Sequence, residues 1–119
     1  MEELAPQKGN MPDSFILVRT SAGVHVLGGW SGGYLYGDSW RLSTALKRVV
    51  EYDGDWVVVE TRSGSTYALP TQAAIRRYTL TVTTSGVFNS FDRQAKEQGI
   101  LFEAIPESEF NDVINQLEN

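Results

Sequence analysis

The sequence predicts an α+β domain in which a strongly bent antiparallel β-meander, of about five to seven strands, packs against two C-terminal helices. Strand-like segments fill most of the first two thirds of the chain, and helical apolar spacing is clearest near its end. The dipeptides Asp53-Gly54 and Ser63-Gly64 separate neighbouring strand segments, as tight turns do in antiparallel hairpins. Strands and helices do not alternate along the chain, which argues against a doubly wound parallel sheet.

A length of 119 residues without cysteine is typical of one domain that folds without disulfides. Residues 1–12 carry two prolines and no hydrophobic period, so we expect a mobile leader before a single domain at residues 13–119. Residues 15–20 and 24–27 are rich in apolar and β-branched side chains and flank a Ser-Ala-Gly turn. This pattern predicts the first hairpin.

The central meander gives the clearest strand pattern, with predicted strands at residues 49–52, 56–61 and 65–69. Just before it, residues 43–49 also fit a short helix that a serine could cap, so their state stays open. Six of the 11 glycines lie between positions 23 and 37. Because glycine in such density carries a cost in backbone entropy, we expect a loop or bulge there, leading into a short strand at 34–36.

The C-terminal third combines both periodicities. In the ambiguous stretch 71–84, Tyr78, Leu80 and Val82 alternate with threonine, which fits a strand, although the same stretch could begin a helix. Residues 87–98 have helical spacing and end at Gly99, a residue typical of a helix C-terminus. A short strand at 100–105 and a final helix follow, and the final helix carries an apolar stripe of Phe110, Val113, Ile114 and Leu117.

The net charge of −5 is unevenly distributed. Residues 1–96 hold nine acids and ten bases, whereas residues 97–119 hold six acids and no base. The ordinary interpretation of this acidic segment is a solvated helix face. The alternative is an acidic surface that docks a basic partner, for which the candidate residues are Glu107, Glu109 and Asp112.

An aromatic cluster follows the second predicted strand, since Trp30, Tyr34, Tyr36 and Trp40 all occupy even positions and Arg41 comes next. In an extended chain these aromatic side chains would project from one face. Aromatic side chains of this kind fill small β-rich cores, and they also anchor binding surfaces. We expect these five residues to form the partner-binding set if the cluster is exposed.

Several chemistries find little support in the residue inventory. Cysteine is absent and His25 is the sole histidine, so neither a thiolate nor a multi-histidine metal site can form. The glycine-rich stretch lacks the lysine of a phosphate-binding loop, and no helix clearly follows it. We expect no cofactor and no metal. Since no apolar run approaches the length of a membrane span, we expect a cytoplasmic protein.

The function predicted from these features is non-enzymatic recognition of a protein partner, through the glycine and aromatic surface or the acidic C-terminal face. One alternative is a small hydrolase that uses His25 with a carboxylate. Another is a single-stranded nucleic-acid binder that would use the basic doublets Lys47-Arg48 and Arg76-Arg77, although the acidic charge disfavours this partner class. A third is an oligomer formed through a free sheet edge or the apolar helix stripe. Residues 37–42 and 63–67 resemble in style short bacterial and prophage proteins, a likeness that implies no activity.

Overall fold

Two antiparallel sheets form the framework of the protein, seen here in a computed structural model that describes residues 10–30 and 39–117. Within these residues seven strands are defined. The first sheet has the strand order β3-β2-β1-β7 and contains β1 (Ser14–Thr20), β2 (Gly23–Trp30), β3 (Ser39–Leu42) and β7 (Phe102–Ile105). The second sheet has the order β4-β5-β6 and contains β4 (Leu46–Asp53), β5 (Trp56–Thr61) and β6 (Thr66–Pro70).

Two helices complete the fold. Helix α1 spans Val82–Gln98, and a 3₁₀ turn at Glu107–Glu109 leads into helix α2 at Phe110–Gln116. The predicted α+β class, with an antiparallel strand meander followed by two C-terminal helices, is therefore confirmed. The strands are divided between two sheets because the chain crosses from one to the other after β3.

The tight turns lie where the glycine positions predict them. Gly54 joins β4 to β5 with φ 61°, and Gly64 joins β5 to β6 with φ 93°, both in the left-handed region that glycine adopts without strain. Of the ambiguous residues 43–49, residues 46–49 belong to β4 and residues 43–45 connect β3 to it without helical structure. Two irregularities in the β4–β5 register locally shift the pairing, which explains why β4 lacks a clean alternation.

Helix α1 begins five residues earlier than the apolar spacing indicates, and residues 71–81 do not form a strand. The cause is a capping box at its first turn. The Thr84 N–H donates to the Thr81 hydroxyl oxygen at 3.1 Å, and the Thr81 N–H donates to the Thr84 hydroxyl oxygen at 2.7 Å. Thr81, one of the threonines that suggest a strand by alternation, is thus the N-cap of a helix, and Gly99 ends this helix with φ 69° as predicted.

The first sheet lies between two hydrophobic cores. Its inner face, which includes Phe15, Leu17 and Val26, packs against the second sheet and against α2 in what we call the inner core. Its outer face, which includes Ile16 and Leu27, packs against α1 residues such as Phe88 in the outer core. Of the predicted leader 1–12, residues 1–9 lie outside the described residues, while the next residue, Asn10, pairs with β6 at Tyr67.

Residues 76–78, here called the 76–78 segment, connect the layers. The Phe15 N–H donates to the Arg77 carbonyl at 3.1 Å, so the segment pairs with β1. The Tyr78 hydroxyl then lies between β1 and β7, where it accepts from the Leu17 N–H and donates to the Ile105 carbonyl. The ring of Tyr78 meets Phe15 edge-on at 5.4 Å between centroids and Phe110 at 6.4 Å. One side chain therefore connects the edge of the first sheet with the inner core.

Removal of the Tyr78 hydroxyl leaves two deeply buried backbone groups without a partner. Since an unpaired buried polar group costs about 1–3 kcal/mol, we expect Tyr78→Phe to lower the free energy of unfolding by about 2 kcal/mol or more. Urea unfolding measures this change. The control is Tyr52→Phe, because Tyr52 is 57% exposed, and it should change stability by less than about 0.5 kcal/mol. Equal losses of stability in both variants would contradict the role of the Tyr78 hydroxyl in linking β1 to β7.

The same hydroxyl makes stability depend on pH in the alkaline range. Burial outweighs the Leu17 hydrogen bond and raises the pKa of Tyr78 to about 12. The unfolded chain ionises Tyr78 near pH 10, so the stabilisation is complete below that pH and is lost as the pH rises toward 12. We expect the stability difference between the wild type and Tyr78→Phe to shrink over this range in urea titrations. If the stability difference between the two proteins stayed constant between about pH 9 and pH 11, the raised pKa of Tyr78 would be contradicted.

Candidate functional site

A cleft of about 390 Å³ opens where β1 begins, β2 ends and α1 starts. We call it the Trp30 cleft. One wall comes from the ends of β1 and β2, and the other from residues 76–79 and Thr81. Its lining includes, from the first wall, Asp13, Ser14, Gly29 and Trp30, and Glu107 borders it from the 3₁₀ turn.

Glycine at position 29 keeps the cleft open next to α1. A side-chain carbon at this position would lie 3.1 Å from a Thr84 methyl group and 3.7 Å from the Ser14 hydroxyl. Ser14 pairs with Gly29 across β1 and β2, so both residues face the first turn of α1. The absence of a side chain at Gly29 leaves the Ser14 hydroxyl on the cleft surface, although Ser14 as a residue is only 5% exposed.

Two adjacent arginines line the cleft in different ways. The Arg76 side chain is 4% exposed, and its guanidinium pairs with Glu107 at 3.1 Å and lies 4.0 Å from the centre of the Phe110 ring. Its Nη1 also donates to the carbonyls of Pro70 and Thr71. Arg77 is exposed, and its side chain forms no ion pair or hydrogen bond with the described residues. A second cavity, of about 290 Å³, also borders Arg77.

Trp30 and Trp40 lie on opposite faces of the first sheet, which differs from the shared face expected for the aromatic cluster. Because β2 pairs with β3 through Trp30 and Ser39, Trp40 is one residue out of phase with Trp30. Trp30 is partly buried against the inner core and lines the cleft. Trp40 is 43% exposed and meets Phe91 of α1 at 6.1 Å between ring centroids.

The remaining members of the predicted partner-binding set do not join Trp30 in the cleft. Tyr34 and Tyr36, with the strand predicted at 34–36, lie outside the described residues. Arg41 pairs with Gly28 and faces the second sheet, near the buried Tyr67. Burial raises the pKa of Tyr67, and the Arg41 guanidinium partly opposes this rise. The Tyr67 hydroxyl has no hydrogen-bond partner of normal geometry among the described residues.

The predicted acidic face is divided among different contacts. Glu107 is drawn inward to the buried Arg76, and Glu109 lies 3.7 Å from the Arg19 guanidinium. Asp112 is exposed on α2. Since two of the three carboxylates already pair with arginines of the body, part of the acidic excess stabilises the C-terminal segment on the sheets.

His25 occupies a structural position in the first sheet. Its Nδ1 lies 2.9 Å from the Ser43 carbonyl, which can only accept, so Nδ1 carries the hydrogen. Its Nε2 lies 2.7 Å from the Thr20 hydroxyl, which donates to it when the imidazole is neutral. Both ring nitrogens are thus engaged without a carboxylate, and the hydrolase alternative gains no support from this geometry.

The basic doublets expected for nucleic-acid binding are partly used in ion pairs. Arg48 pairs with Glu60 at 2.8 Å, and Arg76 is buried. Among the described residues, no group of three or more histidine and carboxylate side chains is placed to hold a metal ion. Neither of the two helices in this part of the chain has the length and apolar character to cross a membrane.

Comparisons with protein-family models, with curated proteins and with solved structures found no match for this chain. Sequence reasoning singled out Trp30 and noted the Arg76-Arg77 doublet, but it missed Ser14. The sequence of residues 76–78, two arginines and a tyrosine, does not show that the first and third side chains turn inward and the second outward.

Glu107 and Asp112 allow a direct test of how the acidic residues are used. Removing one partner of a buried ion pair is strongly destabilising. The effect is smaller here, because the Glu107 side chain is 40% exposed and solvent screens its charge. We expect Glu107→Gln to lower the free energy of unfolding by about 2 kcal/mol in urea titrations. Asp112→Asn is the matched control and should cost less than about 1 kcal/mol. Equal small losses would show that the Arg76–Glu107 pair contributes little to stability.

Proposed function

We propose that the protein is a non-enzymatic binding module that recognises a peptide segment of a protein partner in the Trp30 cleft. The observation that carries this proposal is the position of Trp30, a large aromatic side chain half-buried in the wall of an open cleft. Aromatic residues in such positions are frequent anchors of protein recognition, because they combine a large apolar area with little conformational entropy.

The dimensions of the cleft support a peptide as its occupant. Its volume of about 390 Å³ falls within the range of ordinary ligand pockets and suits a few side chains of an extended segment. Its walls also combine an aromatic surface with hydroxyl groups and an exposed guanidinium, and recognition sites fix the orientation of a ligand with a few such polar groups. The acidic face is a weaker candidate for a partner-binding surface, because Glu107 and Glu109 already form ion pairs within the protein.

A displayed library of random peptides tests the proposal. We expect the wild-type protein to enrich peptides that share a motif and that bind Trp30→Ala at least tenfold more weakly, since interface aromatics often contribute more than 1.4 kcal/mol. Fluorescence anisotropy with synthetic copies of the enriched peptides measures the affinities. Circular dichroism checks that the variant keeps its native spectrum.

Tyr52→Ala is the matched control, because Tyr52 is an exposed aromatic residue of β4 outside the cleft lining and should leave peptide binding unchanged. If Trp30→Ala unfolds, Trp30→Phe keeps an aromatic ring in the core while it reduces the contact area in the cleft. A library that enriches no peptide, or peptides that bind all three variants as tightly as the wild type, would refute recognition through this cleft.

A further inference from the structure

The Ser14 hydroxyl is a polar group on the cleft surface without a hydrogen-bond partner among the described residues. It lines the Trp30 cleft, it belongs to a residue that is 5% exposed, and among the described residues it forms no hydrogen bond. Because the residue is otherwise packed into the sheet, the cleft is the side from which a ligand acceptor can meet this hydroxyl. Because Ser14 pairs with Gly29, which lacks a side chain, its hydroxyl stays accessible from the cleft.

Of the four charged residues that line the cleft, Arg77 is the one whose side chain forms no ion pair or hydrogen bond among the described residues. Arg76 is neutralised by Glu107 at 3.1 Å, and Asp13 is engaged in an interaction of its own. Arg77 lines the same cleft with no partner among the described residues. The first turn of α1, capped by Thr81 at the cleft wall, contains no acidic residue, so its dipole adds to the positive potential.

This balance favours a group with a single negative charge. A phosphate dianion would place a second charge close to the carboxylates of Asp13 and Glu107, with only one free guanidinium to offset it. A nucleic-acid strand would need several cations along its path, since its affinity comes mainly from phosphate neutralisation. A carboxylate matches the charge of one arginine, and its two oxygens can accept from a guanidinium and from a hydroxyl at the same time.

We propose that the Trp30 cleft is a carboxylate-binding site in which Arg77 pairs with the carboxylate of an acidic peptide residue and the Ser14 hydroxyl donates a hydrogen bond to it. This assignment rests on the proposed function for its peptide source, and it names the chemistry that the cleft selects. Trp30 then contacts the apolar part of the same peptide.

The test uses four small probes at constant ionic strength, followed by ¹H–¹⁵N correlation spectra of the full chain. N-acetylglutamate amide carries a side-chain carboxylate, and N-acetylglutamine amide is its neutral match. N-acetylalanine carries a terminal carboxylate, and inorganic phosphate tests the competing anion. We expect saturable shifts of the Ser14, Gly29 and Thr81 amides with N-acetylglutamate amide and none with the glutamine analogue.

Two variants separate the cleft from general charge effects. A hydrogen bond to a charged group contributes about 1.5–3 kcal/mol, so Arg77→Gln and Ser14→Ala should each weaken the titration about tenfold or more. Arg62→Gln is the matched control, because Arg62 is an exposed arginine remote from the cleft lining, and it should change nothing. Arg77 is exposed, so its variant keeps the fold and remains informative if Ser14→Ala does not.

Each result decides the assignment. Shifts with N-acetylalanine alone would support a carboxylate site and assign it to a peptide C-terminus. Equal shifts with the glutamate and glutamine probes, no shifts with either carboxylate, tighter binding of phosphate, or shifts that persist in Arg77→Gln would overturn it. If the enriched peptides depend on Trp30 but need no carboxylate, peptide recognition stands and the carboxylate site is removed. Carboxylate binding with no enriched peptide would leave the carboxylate site standing and remove peptide recognition.

Discussion

The structure depends on the need to compensate one buried cation, the guanidinium of Arg76. An unpaired charge in such a position costs several kcal/mol, so the surrounding groups must lie where they can satisfy it. Glu107 supplies the opposite charge, the carbonyls of Pro70 and Thr71 accept its hydrogen bonds, and Phe110 presents its ring face. These partners come from the end of the second sheet and from the C-terminal segment, which the arginine therefore joins.

The same constraint forms the candidate site. In an extended segment neighbouring side chains point in opposite directions, so burial of Arg76 and Tyr78 turns Arg77 outward. Tyr78 fixes the segment against β1 and β7 through its hydroxyl, which leaves Arg77 beside Ser14 and Trp30 at the cleft. A packing requirement in the core thus places an unpaired cation at a surface opening. This link between core and cleft explains why recognition is proposed here rather than at the acidic face.

The parts of the fold that depend on local chemistry could be predicted from the sequence. Asp53-Gly54 and Ser63-Gly64 act through the conformations of two or three residues, and the stripe from Phe110 to Leu117 follows one helical period. The start of α1 could not, because residues 78–83 alternate apolar residues with threonine as in a strand, whereas the hydroxyls of Thr81 and Thr84 form a capping box.

The candidate site was only partly predictable for a related reason. Counting even positions from Trp30 to Trp40 assumes one extended strand, whereas the pairing of Trp30 with Ser39 puts the two tryptophans on opposite faces. Ser14 is separated from Arg77 by more than sixty positions in the sequence, and it becomes a candidate only when the opposing Gly29 is known to leave its hydroxyl uncovered. Residue type alone gives no sign of such a contact.

The central claim is that the 76–78 segment is an integral part of the core and not a surface loop laid over it. Amide hydrogen exchange measured residue by residue tests this claim most directly. We expect the Phe15 and Leu17 amides, which donate to the Arg77 carbonyl and the Tyr78 hydroxyl, to exchange only with global unfolding, at the rate of Val57 and Val59 in the second sheet. Much faster exchange of Phe15 and Leu17 through local opening of the segment would contradict it.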